Sequence, residues 1–323
     1  MFPLQRNRRL RSNSSIRQLV HEHQLVPTDF IVPLFVIEDT HKKEPIPSLP
    51  NYYRYSLDTL EIHVKNLWQM GAKAVLIFVK VPESKKDNNG TEACNPNGLM
   101  QRAIKTIKNV VPDMVVFTDV ALDPYSSEGH DGIVQNGKII NDPTLEVLVA
   151  MALSHAQAGA DGVAPSDMMD GRVLKIREAL EKKGFQDVLI MSYSAKYASS
   201  LYGPFRDALD SSPGFGDKKT YQMDFANRKE ALIETLRDIE EGADIVMVKP
   251  GLPYLDIVRD LSAHVHVPIA VYQVSGEYAM LKAAAAKGWL EHDAVMLEQL
   301  VAFKRAGASL IATYFAERAI SLL

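Results

Sequence analysis

The sequence reads as a single (β/α)8 TIM barrel, an α/β fold, with an extended N-terminal arm. Three observations carry that reading. Eight short apolar runs alternate with segments of helical period, an order that builds a parallel sheet, and eight such units close into a barrel. The 323 residues, 46% of them hydrophobic, supply one core of that size, with no linker between halves and no repeat of fixed period. No GxGxxG follows the first run, which removes the main support for a doubly wound open sheet. The arm is assigned to residues 1–28 and the barrel to 29–323.

Phe30–Val36 reads as the first strand, because strands buried on both faces lose their polar alternation. Ser56–Met70 reads as a helix, with Ser56 as cap and Leu57, Leu60, Val64 and Leu67 on one face. Ala74–Val79 is the second strand. The loop Pro82–Gly98 is polar and expected to be mobile. A helix over Leu99–Val111 leads to a third strand, Met114–Phe117, ending in Thr118 and Asp119. Helices over Pro143–Ala158 and Asp170–Lys183 flank a short fourth strand, Gly162–Ala164, and Val188–Ser192 is the fifth. Ala195–Thr220, with Gly203, Pro204, Pro213, Gly214 and Gly216, has the look of a lid. A helix over Asn227–Glu241 precedes the sixth strand, Ile245–Val248. Leu255–Ser262 is helical, Pro268–Tyr272 is the seventh strand, and two helices follow it, Tyr278–Lys287 and His292–Ala306. Ser309–Thr313 is the eighth strand and Phe315–Leu323 a closing helix.

Composition narrows the function. A net charge of −4 argues against nucleic acid as the main partner. No apolar run approaches the ~20 residues that span a bilayer. The one cysteine, Cys94, excludes an internal disulfide and a multi-cysteine zinc site, and fits a reducing, cytoplasmic setting. Residues 1–20 carry Arg6, Arg8, Arg9, Arg11 and Arg17 and no acid. A transit peptide can have that composition, but the segment lacks clear amphipathic period, and an arm that contacts another subunit is preferred.

The unusual residues fall where strands end. Lys249 closes the sixth strand just before Pro250 and Gly251. An amine held among apolar groups loses its proton easily and becomes a nucleophile towards carbonyls; the bland alternative is a lysine snorkelling out of the strand. Asp119 ends the third strand, Lys196 follows the fifth, Ser275 follows the seventh and Tyr314 ends the eighth. Singly these read as a turn cap, a solvated loop lysine, a helix cap and a core edge. Jointly they present polar groups to one rim, where barrels keep their active sites. Two lysines on adjacent strands suit a reaction joining two carbonyl compounds. Arg206, Lys218 and Lys219 on the lid suit a carboxylate-bearing substrate. The loop DVALDPYSSEGHD offers oxygen ligands to a hard cation, although Asp123 and Asp131 serve equally well as loop caps.

The motifs VFTDVALDPYSSEGHDG, MSYSAKYAS, LYGPFRDAL, TYQMD, EGADIVMVKPGLPYLDIV, YQVSGEYAM and ATYFA resemble the porphobilinogen synthase (5-aminolevulinate dehydratase) family from RRLR to the C-terminus. The resemblance implies condensation of two 5-aminolevulinate molecules to porphobilinogen with loss of two waters, a hydro-lyase step of tetrapyrrole (heme and chlorophyll) synthesis. It implies that Lys249 forms the Schiff base with one substrate and Lys196 binds the keto group of the other. Arg206, Lys218 and Gln222 match positions that hold one carboxylate, Ser275 and Tyr314 those that hold the other, and Asp119 assists proton transfer. Where zinc-type members carry three cysteines, this chain has Ala121, Asp123 and Asp131. No catalytic zinc is therefore expected, and Asp123 and Asp131 form a candidate cation loop. Glu234 matches an allosteric magnesium position, yet Arg237 matches the site where metal-free members place a guanidinium, and the two can simply pair on a helix surface. The resemblance also implies a homo-octamer embraced by N-terminal arms.

Overall fold

Eight parallel strands close on one another in the protein, seen here as a computed structural model that describes residues 3–323. Met1 and Phe2, the first residues of the expected arm, lie outside the described residues. The strands are β1 (Phe30–Ile37), β2 (Ala74–Lys80), β3 (Val115–Val120), β4 (Gly162–Pro165), β5 (Leu189–Lys196), β6 (Ile245–Lys249), β7 (Ile269–Gln273) and β8 (Leu310–Thr313). Each pairs with the next, and β8 returns to β1 with Phe30 opposite Ile311. Every residue of β1 is buried, as expected of a strand covered on both faces. Gly162 opens β4 because a side chain there would meet the Phe117 ring at 2.5 Å.

Eight longer helices surround the strands: α1 (Leu57–Met70), α2 (Leu99–Val110), α3 (Asn141–Ala158), α4 (Arg172–Lys182), α5 (Lys229–Glu240), α6 (Leu255–His264), α7 (Ser275–Ala286) and α8 (His292–Ala306). Leu60, Val64 and Leu67 form the buried face of α1. Ser56 occupies its cap position without capping it. The hydroxyl instead accepts from Lys42 N at 2.9 Å and donates to Lys42 O at 3.1 Å, anchoring the preceding hairpin. α7 begins at Ser275, earlier than expected, because the Glu277 carboxylate accepts from Val274 N at 2.7 Å and so starts the helix upstream of Tyr278. Ser275 is consequently inside the helix and not its cap. The closing helix is Ala316–Ile320, shorter than expected.

Two departures matter for the rim. A short parallel strand, Tyr53–Tyr55, lies beside the end of β1, with Arg54 opposite Phe35. β5 continues through Lys196 where the reading above ended it at Ser192, and the polar residues Ser192, Ser194 and Lys196 are buried within it. The loop after β2 folds into two 3-10 turns and is tied to the next loop by Asn88, whose side chain exchanges hydrogen bonds of 2.9 and 3.0 Å with the Val134 backbone. On the opposite side of the fold's economy stands the arm: its turn Asn7–Arg11 and helix Ser14–Leu19 bury no residue.

Candidate active site

The register sets Lys249 of β6 directly opposite Lys196 of β5. Neighbouring strands lie ~4.8 Å apart, so both amines enter one chamber. Tyr197 N donates to Lys249 O at 2.9 Å, which prolongs the pairing past the barrel proper and explains why β5 does not stop at Ser192. Lys196 is therefore a buried strand residue and not a solvated one.

Their surroundings differ sharply. Lys249 Nζ lies 4.6 Å from the centre of the Tyr272 ring, 4.9 Å from Phe205, 5.0 Å from Tyr193 and 5.2 Å from Tyr202. Ring faces favour a cation, but loss of solvent outweighs them. Burial, reinforced by the Lys196 charge, brings the Lys249 ammonium from 10.5 down to about 7. Lys196 Nζ sits among acceptors instead: it donates to the Ser166 carbonyl and lies 3.4 Å from Asp131. Asp131 is itself 2.6 Å from Lys218, whose ammonium also reaches Asp123 at 3.2 Å. Burial would raise the Asp131 carboxyl, but Lys218 and Lys196 overcome it and hold it at about 2. Asp119, inside β3, goes the other way. Burial and the neighbouring Asp123 push it up to about 7 against the pull of Lys196 and Lys249. Its Oδ1 is buried without a hydrogen-bond partner.

The lid lies over this chamber. Its helix, Gly203–Leu209, carries Phe205 onto the Phe78 ring at 5.0 Å, edge to face. Phe205 N donates to Ser275 Oγ at 3.0 Å, and Ser275 Oγ donates to Leu201 O at 3.3 Å. Tyr314 OH meets Tyr272 OH at 3.1 Å, so Ser275 and Tyr314 both border the Lys249 cage. Arg206, Lys218 and Gln222 line one cavity of about 430 Å³ outside it, and Gln222 Oε1 is buried there without a partner.

Several contributors escaped the sequence reading. The four rings of the cage come from three separate stretches of chain. The Ser166 carbonyl, which receives Lys196, follows β4; a backbone acceptor leaves no mark in the residue type. Buried Arg172 lies 3.4 Å from Asp238 and 3.8 Å from Asp167, bracing the turn after β4 from behind. No spacing in the sequence announces that network.

Glu234 stands apart from the chamber, on α5, where it lines a second cavity of about 440 Å³ with Asp170, Glu230 and Gln222. Its carboxyl is raised by partial burial and is paired with Arg237 at 3.1 Å. Among the described residues no group of three His, Cys, Asp or Glu side chains is placed to hold a metal ion. A magnesium ion, which keeps most of its waters and needs one or two carboxylates, would be held here by Glu234 alone, beside the Arg237 guanidinium with which it is paired. Zinc does not fit the aspartate loop: position 121 is alanine, and the ammonium of Lys218 lies between Asp123 and Asp131 where a cation would otherwise sit.

Comparison with known proteins places the chain in a family. The family model described as delta-aminolevulinic acid dehydratase matches residues 4–322. A delta-aminolevulinic acid dehydratase of Methanothermus sociabilis is 57% identical, with 98% of this chain and 97% of the relative covered. One from Bacillus subtilis is 50% identical over 98% of both. The crystal structure of the Toxoplasma gondii delta-aminolevulinic acid dehydratase (porphobilinogen synthase), in complex with its product porphobilinogen, superposes with a TM-score of 0.98 at 50% identity, covering 100% of this chain and 93% of that one. The chain thus belongs to the delta-aminolevulinic acid dehydratase family.

Proposed function

We propose that the family's reaction, condensation of two 5-aminolevulinate molecules to porphobilinogen with loss of two waters, runs in this chain on Lys249 and Lys196. What carries the proposal is the pairing of two buried lysines in register, one in a ring-lined cage and one among carboxylates. Lys249, half deprotonated near pH 7, attacks the keto carbon of the first substrate; water leaves and an imine forms. Ser275 and Tyr314, at the border of the cage, hold that substrate's carboxylate. Lys196 takes the keto carbon of the second substrate as Schiff base or carbinolamine, and Arg206, Lys218 and Gln222 hold its carboxylate. The enamine carbon of the second substrate bonds to the imine carbon held by Lys249, and elimination returns the Lys249 amine. The first substrate's amino group then adds to the carbon held by Lys196 and expels that amine. Loss of a ring proton completes the pyrrole, the two waters having left as the lysine adducts formed and collapsed. Asp119, titrating at about 7 and with an unpartnered oxygen, is the carboxyl matched to moving protons between these steps. Lid closure over Lys249 excludes water from the imine.

The finer features are proposals of the same kind. Magnesium at Glu234 supplies charge outside the chamber and no chemistry within it. The arginine-rich arm, which has no core of its own, serves contacts between subunits of a homo-octamer. Among the described residues no helix is long and apolar enough to cross a membrane, and the single cysteine supports a cytoplasmic setting.

Borohydride reduction in the presence of 5-aminolevulinate, followed by peptide mapping, tests the assignment. The expected adduct is on Lys249. Absence of any adduct, with the protein folded, would remove the Schiff-base mechanism altogether.

A further inference from the structure

The lid is held shut from a place with no role in the chemistry above. Arg54, in the short strand beside β1, is 4% exposed. Its Nε donates to Ala208 O at 2.6 Å and its Nη2 to Asp207 O at 2.7 Å. These are carbonyls of the last turn of the lid helix, which have no partner within so short a helix. A guanidinium there satisfies two of them at once and lies at the negative end of the helix dipole. Glu44, 3.4 Å away on the adjoining strand, holds Arg54 in place. Two lysines complete the end of the helix: Lys80 lies 2.6 Å from the Asp210 carboxylate, and Lys86 Nζ donates to Asp210 O at 3.1 Å.

We infer that Arg54 is a positioning residue for the reaction, a latch that fixes the lid helix so that Phe205 covers Lys249 and Arg206 faces the carboxylate cavity. The path is short. Arg54 sits opposite Phe35 in the sheet, and the Phe35 ring lies 5.8 Å from that of Phe205, tilted against it. One face of the helix is thus packed on β1 and β2 through Phe205, while its end is hydrogen-bonded to the strand next to them. Phe205 is the only lid residue that touches both the barrel aromatics and, through its N–H, the Ser275 hydroxyl among the described residues. A lid free to tilt loses that alignment but leaves Lys249, Lys196 and Asp119 on their strands. The latch therefore acts first on substrate capture and only secondarily, through water reaching the imine, on bond making.

The inference rests on the proposed function, and its test separates the two. Arg54→Ala and Arg54→Lys are compared with the unaltered protein in steady-state kinetics, limited proteolysis and borohydride trapping at saturating 5-aminolevulinate. The expected result for Arg54→Ala is a KM raised on the order of 10- to 100-fold, as loss of two charge-assisted hydrogen bonds entails, with kcat changed about threefold or less. Cleavage within residues 203–220 should quicken, and saturating substrate should slow it again. Arg54→Lys, retaining one donor and the charge, should recover part of the KM. The Lys249 adduct should persist in both variants. A KM unchanged in Arg54→Ala, or a kcat that falls with the thermal midpoint while KM stays put, would overturn the latch. An unaltered protein that fails to trap substrate on Lys249 would instead overturn the function on which it rests.

Discussion

Lys249 and Lys196 occupy equivalent places on neighbouring strands, yet the fold treats them as opposites. Around Lys249 it gathers Tyr193, Tyr202, Phe205 and Tyr272, and among the described residues no carboxylate pairs with the amine. Around Lys196 it gathers Asp131 and the Ser166 carbonyl, with Lys218 and Asp123 extending the charges outward. Desolvation governs the first environment and charge pairing the second. The difference teaches how one strand register can set two buried amines in opposite environments. The first amine, stripped of solvent, loses its proton near neutrality, while the second is held by the Ser166 carbonyl and Asp131. Register gives proximity, while residues arriving from loops give each amine its character.

The same substitution at both positions breaks the symmetry most clearly. Lys249→Met and Lys196→Met should each lower turnover on the order of 10⁴-fold or more, as loss of a covalent nucleophile does. Their stabilities should move in opposite directions. Removing Lys196 leaves the Ser166 carbonyl buried without its donor and Asp131 with one cation fewer, a loss of about 1–3 kcal/mol. Removing Lys249 relieves a buried amine. The folded protein binds that proton less tightly than the unfolded chain, whose value is near 10.5, so the penalty is complete below about pH 7 and fades as pH rises from about 7 to 10.5. Lys249→Met should therefore be more stable than the unaltered protein at pH 7, and the gap should close in alkali. Denaturant midpoints at pH 7 and 10 decide it; a destabilised Lys249→Met at pH 7 would mean the cage needs its cation.

The pH profile tests the division of labour at Asp119. Protonation of Lys249 removes the nucleophile, so kcat/KM should fall on the acid side of about pH 7. Asp119→Asn should cost ~10²–10⁴-fold in kcat, the range of a lost acid–base group. It should also move the acid limb. The Asp119 charge favours the protonated form of Lys249, so its removal lets the amine lose its proton at lower pH, and the limb should shift towards acid. A limb that stayed in place would assign it to another group.

The barrel was legible because buried parallel strands are apolar throughout, and all eight runs stood out. The rim was legible in part for the same reason: Lys249 interrupts such a run. Lys196 falls outside the expected strand because Ser194 and Lys196 look polar, and each buried polar group there has a partner: Ser192 Oγ donates to Asp238 on α5 at 2.6 Å, Ser194 Oγ to Ser192 O at 3.4 Å, and Lys196 to the Ser166 carbonyl. Asp131 lies 65 residues from Lys196, and the cage rings lie on β5, the lid and β7. Such meetings depend on closure of the barrel, which leaves no local mark. Ser275 is not the cap because Glu277, accepting from Val274 N, starts the helix one residue earlier, and the Ser275 hydroxyl accepts from Phe205 N of the lid instead.

The smallest effect sharpens the comparison furthest, because it reaches one amine's side of the chamber and not the other's. Arg206 and Gln222 line the cavity shared with Lys218, which adjoins the carboxylates around Lys196, whereas Ser275 and Tyr314 border the rings around Lys249. If each amine keeps its own carboxylate grip, Arg206→Ala weakens only the second substrate's hold. Loss of one charge-assisted contact should raise KM about tenfold. Hydride trapping on Lys249 at low 5-aminolevulinate should keep its unaltered concentration dependence, since the first substrate binds through the other grip. Should trapping weaken in step with KM, Arg206 would serve the Lys249 side as well, and the two environments would be one site with a shared entrance.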